Sequence, residues 1–199
     1  MQLFAFFSVA ASFLAVSVTG ASAALIASAP IAECKQETVV HEGFIGKDNN
    51  VKFQTSHCGE TPRVSANGQV IGLDKRQEAS SNVCGAQCNT FCFSGAGGGP
   101  NEDDCKVVAN ALTFDSANQG PLFNITASGT PTDKVTMQFG SCLTYFLNQD
   151  SGNLTYCRDD WSSLVTWLAG DCNAAHGAHG GLCVAADQRW YVQVQNTSG

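Results

Sequence analysis

Two adjacent carboxylate pairs, Asp103-Asp104 and Asp159-Asp160, are the residues best suited by type to acid and base chemistry in the second half of this chain. Hydrolysis of a glycosidic bond needs two carboxyl groups flanking the bond, one kept protonated by its surroundings. Both pairs, however, fall in the first turns of expected helices. Carboxylates there satisfy free backbone N–H groups and oppose the helix dipole without any catalytic role. Capping is therefore the stronger reading, and a small secreted hydrolase using Asp103 or Asp160 ranks third among the functional readings. No nucleophile-elbow pattern accompanies the Ser, His and Asp residues present. The chain reads as non-catalytic, with no catalytic residue assigned and no cofactor expected.

His176 and His179, the only histidines after Arg76, form Cys-x3-His-x2-His-x3-Cys with Cys172 and Cys183. Zinc would require both cysteines as thiolates, whereas an oxidising export route favours disulfides, so no metal is expected. The two histidines stay on the list of possible binding residues. A third chemistry is sugar stacking on exposed aromatic rings. Periodicity turns Trp161 and Trp190 inward and leaves Trp167 and Tyr191 as surface candidates, the latter beside polar Gln193.

Ten cysteines imply disulfides in a secreted chain. Cys34 and Cys58 precede the dibasic pair Lys75-Arg76. Cys84, Cys88, Cys92, Cys105, Cys142, Cys157, Cys172 and Cys183 follow it. Both counts are even, so each part can pair internally, although the pairing among the eight is left open. Residues 1–23 end in Ala21-Ser22-Ala23 after an apolar run and read as a signal peptide. Residues 24–76 read as a propeptide or leader ending in a site for a Kex2-type or furin-like endoprotease. Residues 77–199 read as the mature cysteine-rich domain, beginning at Gln77, which can cyclise to pyroglutamate. No other segment is apolar enough to span a membrane.

Residues 24–76 carry six basic and six acidic side chains, and residues 77–199 carry four and eleven, so the net charge of −7 resides in the second block. The four basic residues there are scattered, and nucleic acid and anionic membranes both require a cationic face. Three sequons, at Asn124, Asn153 and Asn196, all lie in this block and mark it as a glycoprotein.

The elements that must position these residues follow from pattern. Thr90–Phe93 alternates as a first strand, and a helix opens at Asn101 or Asp103 and runs to about Phe114 on the stripe Cys105, Val108, Leu112. Phe123 and Ile125 make a second strand that turns Asn124 outward. Val135, Met137 and Phe139 begin a third, expected to continue past a bulge at Gly140-Ser141 into 142–147. Cys157, Trp161, Leu164, Val165 and Leu168 define a second helix ended by Gly170. The stretch 172–183 reads as a small-residue loop, and 190–195 as the closing strand. The expected fold is α+β: a disulfide-stapled two-layer sandwich, β-α-β-β-α-β, an antiparallel sheet with two helices on one face. The leader shows some strand character at Val51–Thr55 but reads mainly as a spacer removed during secretion.

Four stretches carry a resemblance: Cys-Gly-Ala-Gln-Cys at 84–88, Gly-Gly-Gly-Pro-Asn-Glu-Asp-Asp-Cys at 97–105, Tyr-Cys-Arg-Asp-Asp-Trp at 156–161 and His-Gly-Gly-Leu-Cys-Val-Ala-Ala-Asp-Gln-Arg-Trp at 179–190. Across nearly all of 77–199 the chain resembles small secreted cysteine-rich glycoproteins of mushroom-forming fungi, some described as immunomodulatory. More distantly it is similar to fungal killer toxins and secreted fungal effectors. The resemblance implies an α/β sandwich acting on another cell. The killer toxins imply action through basic residues, and because this domain is strongly acidic no toxin site carries over to it residue by residue. The first functional reading is thus a secreted, non-catalytic protein acting on other cells by contact, as an effector, toxin-like or immunomodulatory protein, with an unknown cell-surface receptor or glycan as partner. The alternative is a lectin-like carbohydrate-binding module.

Overall fold

The structure is a computed structural model and describes residues 28–29, 34–60, 63–71, 81–93, 95 and 97–197. The expected signal peptide, the Lys75-Arg76 pair, Gln77 and Ser198 of the third sequon lie outside the described residues. The first half contributes strands β1 (Ser28–Ala29), β2 (Lys35–Ile45), β3 (Val51–Glu60), β4 (Arg63–Val64), β5 (Val70–Ile71) and β6 (Cys88–Phe93), then helix α1 (Glu102–Gln119). The second half adds β7 (Leu122–Ile125), β8 (Lys134–Phe139), β9 (Cys142–Asn148), β10 (Leu154–Cys157), helix α2 (Arg158–Leu168), a π-helical segment (Ala169–Ala175), β11 (Gly180–Ala185) and β12 (Trp190–Asn196).

Eight of these strands form one sheet in the order β1-β6-β11-β12-β9-β8-β3-β2. All neighbours are antiparallel except β1 and β6. Among the described residues the fold is α+β with a large antiparallel sheet, two α-helices and five disulfides, the stapled sandwich that the pattern predicts. Helix α1 starts where Asn101 Oδ1 accepts from the Asp103 N–H at 2.7 Å, with Glu102, Asp103 and Asp104 in its first turn. It continues to Gln119, beyond the expected end at Phe114, and stops at Gly120, whose φ of +106° suits glycine alone. Both helices pack on one face of the sheet. Cys105, Val108 and Leu112 of α1 and Trp161, Val165 and Leu168 of α2 share one apolar cluster with Val135, Met137, Phe146, Trp190, Val192 and Val194. At about 1.5–3 kcal/mol for each large side chain withdrawn from water, this layer is the main source of stability. Trp161 is fully buried and its indole N–H finds the Thr144 hydroxyl at 3.0 Å. No polar group of this ring is left unpaired in the core.

Four expectations about elements are corrected. Gly140-Ser141 is a tight hairpin turn between β8 and β9, with Phe139 paired to Cys142, and not a bulge within one long strand. Asp104 decides this: it accepts from both the backbone and the hydroxyl of Ser141 at 2.7 Å, and a Cβ at Gly140 (φ +53°) would lie 2.4 Å from its Oδ2. Second, β7 leaves the main sheet and pairs with β10 in a separate two-stranded ladder. Third, residues 180–185 are a central, fully buried strand and not loop. Its small residues hide the strand signal because the site has no room: a Cβ at Gly181 would stand 2.6 Å from Cys172 Sγ and 2.8 Å from the Phe91 carbonyl oxygen. Helix α2 also runs on past Gly170 through the π-helical segment, which carries Cys172 to Cys92.

Candidate functional site

The sheet has a second face, away from the helices, and cross-strand register lays it out in rows. One row reads Lys134, Leu147, Tyr191, Val184 across β8, β9, β12 and β11. The next reads Thr136, Tyr145, Gln193, Leu182, Phe91. Phe91, Phe93, Tyr145, Leu147, Leu182, Val184 and Tyr191 form a second apolar cluster, and Cys58 and Val64 of the leader are members of it.

Residues 34–60 and 63–71 are therefore part of the packed structure. Strand β3 pairs with β8 from Lys52–Gln138 to Ser56–Lys134, adding the hairpin β2–β3 to the sheet edge. Val51, Cys58 and Val64 are buried. The fully buried side chain of Gln149 accepts from Val64 N and donates to Val64 O at 3.0 Å, so it holds β4 as a backbone strand would. Asn89 donates to the Ala66 carbonyl at 2.8 Å, and Gly68 lies so close to the Phe91 ring that a Cβ would come within 2.8 Å of it. One ion pair and one histidine–carboxylate contact join the β2–β3 hairpin to β8 and the residue before it. Lys134 Nζ donates to Glu37 Oε2 at 2.8 Å, and His57 Nδ1 lies 3.3 Å from Oδ2 of buried Asp133, whose Oδ1 accepts from the Cys58 N–H at 3.2 Å. Burial pushes the Glu37 carboxyl upward, but hydrogen bonds from Lys134 and Ser56 and the Lys134 charge outweigh it and hold the group below its usual value. On the helix side, Ile45 and Phe53 of the hairpin face Asp115, Phe123, Met137 and Arg158 across a cleft of about 140 Å³.

The disulfides respect the same division. Cys34 pairs with Cys58, within the leader. Cys84–Cys157, Cys88–Cys183, Cys92–Cys172 and Cys105–Cys142 all lie after Arg76. Cys105–Cys142 ties the start of α1 to β9, Cys92–Cys172 ties the π-helical segment to β6, Cys88–Cys183 joins β6 to β11, and Cys84–Cys157 holds the turn before β6 at the start of α2.

The two aromatic candidates separate. Trp167 is 54% exposed at the edge of α2, with its indole N–H 3.3 Å from Thr90 Oγ1. Tyr191 is fully buried, which corrects the expectation of a surface ring. Alternation does place it opposite Trp190 and Val192, but the face it points to is covered, and burial pushes its hydroxyl well above the ordinary tyrosine range. His176 and His179 do not converge on one point: His176 Nδ1 lies 2.6 Å from the Asp171 carbonyl oxygen, while the His179 ring packs against Gly95 and Gly98. Cys172 and Cys183 are oxidised to different partners and supply no thiolate.

The acidic pairs hold local structure. Asp103 binds Lys106 at 3.0 Å, Asp104 binds Ser141, Asp159 accepts from the Ser116 hydroxyl, and Asp160 accepts from the Gly85 N–H, each of the last two at 2.7 Å. Hydrogen bonds from the Ser141 side chain and backbone hold the Asp104 carboxyl below its usual value. Of the sequon residues, Asn124 and Asn153 are exposed, whereas Asn196 is half-buried and donates its Nδ2 to the Gly99 carbonyl at 3.2 Å.

Sequence reasoning missed Lys134, Thr136, Tyr145 and Gln193 as a group. The alternation of β8, β9 and β12 carried the signal for a two-sided sheet, but their shared row depends on register, which no single strand states. Five disulfides, with no described helix long and apolar enough to cross a membrane, are compatible with an extracellular protein. A scan against protein-family models matched none, and searches of curated proteins and of solved structures returned no match.

Proposed function

We propose that this chain is a secreted glycoprotein that acts on other cells by contact, without catalysis, in the manner of an effector, toxin-like or immunomodulatory protein. The observation that carries this reading is Trp167. A large amphipathic ring stands half in solvent, its indole nitrogen fixed to Thr90, on a helix whose N-cap Cys157 is bonded to Cys84 and whose π-helical continuation is bonded to β6 through Cys92–Cys172. A rigid exposed tryptophan loses little freedom when a partner covers it, which is the property of an interface anchor. The partner is a cell-surface receptor or glycan. Two facts support a non-catalytic role: both adjacent acidic pairs are engaged in helix starts and turns, and the two histidines point to different surroundings.

The test is a cell-response and cell-binding assay with purified, endotoxin-free protein on fungal, plant and animal immune cells. A reduced and alkylated sample and a Trp167→Ala variant serve as controls. The reading expects a response that reduction abolishes and that Trp167→Ala weakens at least tenfold. Silence on every cell type would overturn it.

A further inference from the structure

Lys134, Thr136, Tyr145 and Gln193 make a constellation on the helix-free face that leader residues occupy at one corner. Thr136 and Gln193 stand on either side of Tyr145 in register, and Lys134 Nζ lies 4.4 Å from the centre of the Tyr145 ring. All four are buried. Among the described residues, Thr136 Oγ1 and Gln193 Oε1 are buried with no hydrogen-bond partner, a condition that costs about 1–3 kcal/mol for each group and calls for a reason. The ammonium of Lys134 does have a partner, the carboxylate of Glu37, and that partner belongs to the leader. Val64 and Cys58, also of the leader, pack in the same cluster as the neighbouring Tyr191 and Leu147. Every disulfide closes on its own side of Lys75-Arg76, so a cut there leaves the leader held by non-covalent contacts alone.

We infer that this constellation is a latent binding site for a short oligosaccharide bearing one carboxylate, and that residues 34–60 and 63–71 occlude it, with Glu37 in the place of the ligand's carboxylate. The chemistry selects the ligand. Lys134 takes the carboxylate, sugar hydroxyls donate to Gln193 Oε1 and share hydrogen bonds with Thr136 Oγ1, and the apolar face of a sugar ring lies on an aromatic side chain. A polyanion does not suit the site, because residues 77–199 carry the chain's whole net charge of −7 and repel it at longer range. The inference does not depend on Trp167, which lies on the other side of the sheet with α2.

Because leader and saccharide compete for one site, each must weaken the other by the same factor. The experiment uses the full chain, cut in place at Lys75-Arg76 by a dibasic-specific protease, with a fluorescent label on the leader. Leader dissociation is measured with sialyllactose, with a glucuronate-terminated disaccharide and with lactose. The expected result is at least a tenfold rise in the leader's apparent Kd at saturating acidic sugar, with little change for lactose. The two acidic sugars distinguish a sialic-acid source from a uronic-acid source. Lys134→Met should weaken leader binding and erase the difference between acidic and neutral sugar. Gln193→Ala should reduce the effect of sugar while keeping the Glu37 contact, and it serves if Lys134→Met does not fold. Trp167→Ala should leave the competition intact even if it abolishes the cell response, so failure of the contact reading and failure of this one are told apart. An unchanged leader Kd, an equal effect of lactose, or displacement only by an acidic peptide would overturn the inference.

Discussion

Glu37 and Lys134 lie ninety-seven positions apart in the chain and meet at 2.8 Å, with strand β3 between their own strands and the Ser56 hydroxyl donating to the second Glu37 oxygen at 2.6 Å. The Lys134 side chain is only 7% exposed, so Glu37 is what makes its burial tolerable. His57 and buried Asp133 flank the pair from β3 and from the residue before β8. This contact joins the leader to the rest of the molecule on the face where the latent site lies.

Glu37→Gln should destabilise the uncut chain by about 1–2 kcal/mol at neutral pH, because a buried ammonium loses its counter-charge. The pH dependence follows from the lowered Glu37 carboxyl. Its contribution is complete above the unfolded glutamate value of about 4.3 and is lost as pH falls through the lower folded value. Denaturant unfolding of wild type and variant at a series of pH values should show curves that separate near pH 7 and converge in acid. A gap that persists into acid would count against the pair.

Cleavage at Lys75-Arg76 should yield two masses in denaturant without any reductant, each holding only its own disulfides. Under native conditions the two pieces should co-elute, held by the β3–β8 ladder, the Gln149–Val64 pair and the shared apolar cluster. Non-reducing mass spectrometry and size-exclusion chromatography check both statements. A single cross-linked species in denaturant would contradict the pairing.

Asn124 and Asn153 should carry glycans and Asn196 should not. The first two amides are exposed, and the oxygen of each is hydrogen-bonded, Asn124 from Thr155 and Asn153 from the Ala127 N–H. The nitrogen of Asn196, the atom a glycan would occupy, is given to the Gly99 carbonyl. Single Asn→Gln variants expressed in a eukaryotic secretory host should lose one glycan mass at 124 and at 153 and none at 196.

Gly140→Ala should cost about 2 kcal/mol. The turn needs a positive φ, and the new methyl would meet the Asp104 carboxylate that binds Ser141. Thermal denaturation should show the loss. Asp104→Ala should also destabilise the chain, by about 1 kcal/mol, and the double variant should lose less than the sum because the two share one contact.

By itself the sequence determined a good deal. Cysteine parity on either side of Lys75-Arg76 announced two separately cross-linked parts, because an odd thiol is not left behind in an oxidising route. The stripe Trp161, Leu164, Val165, Leu168 named a helix and its inward face, since a 3.6-residue period has one such face. Asn101 and the acids after it named the start of another, because free N–H groups there attract oxygen. Alternation told that Tyr191 and Gln193 share the side opposite Trp190 and Val192. Tertiary structure alone decided what lies over that side. Strand β3 and its partner β8 are about eighty residues apart, Glu37 and Lys134 further still, and a local pattern carries no record of such a pairing. The central strand 180–185 was hidden for a related reason: Gly180 is required by the Val194 backbone and Gly181 by Cys172 and the Phe91 backbone, atoms supplied from other parts of the chain. Whether a tyrosine is a surface ring or a covered one depends on which segment packs against it, and here Cys58 and Val64, remote in sequence, join the cluster in which Tyr191 is buried.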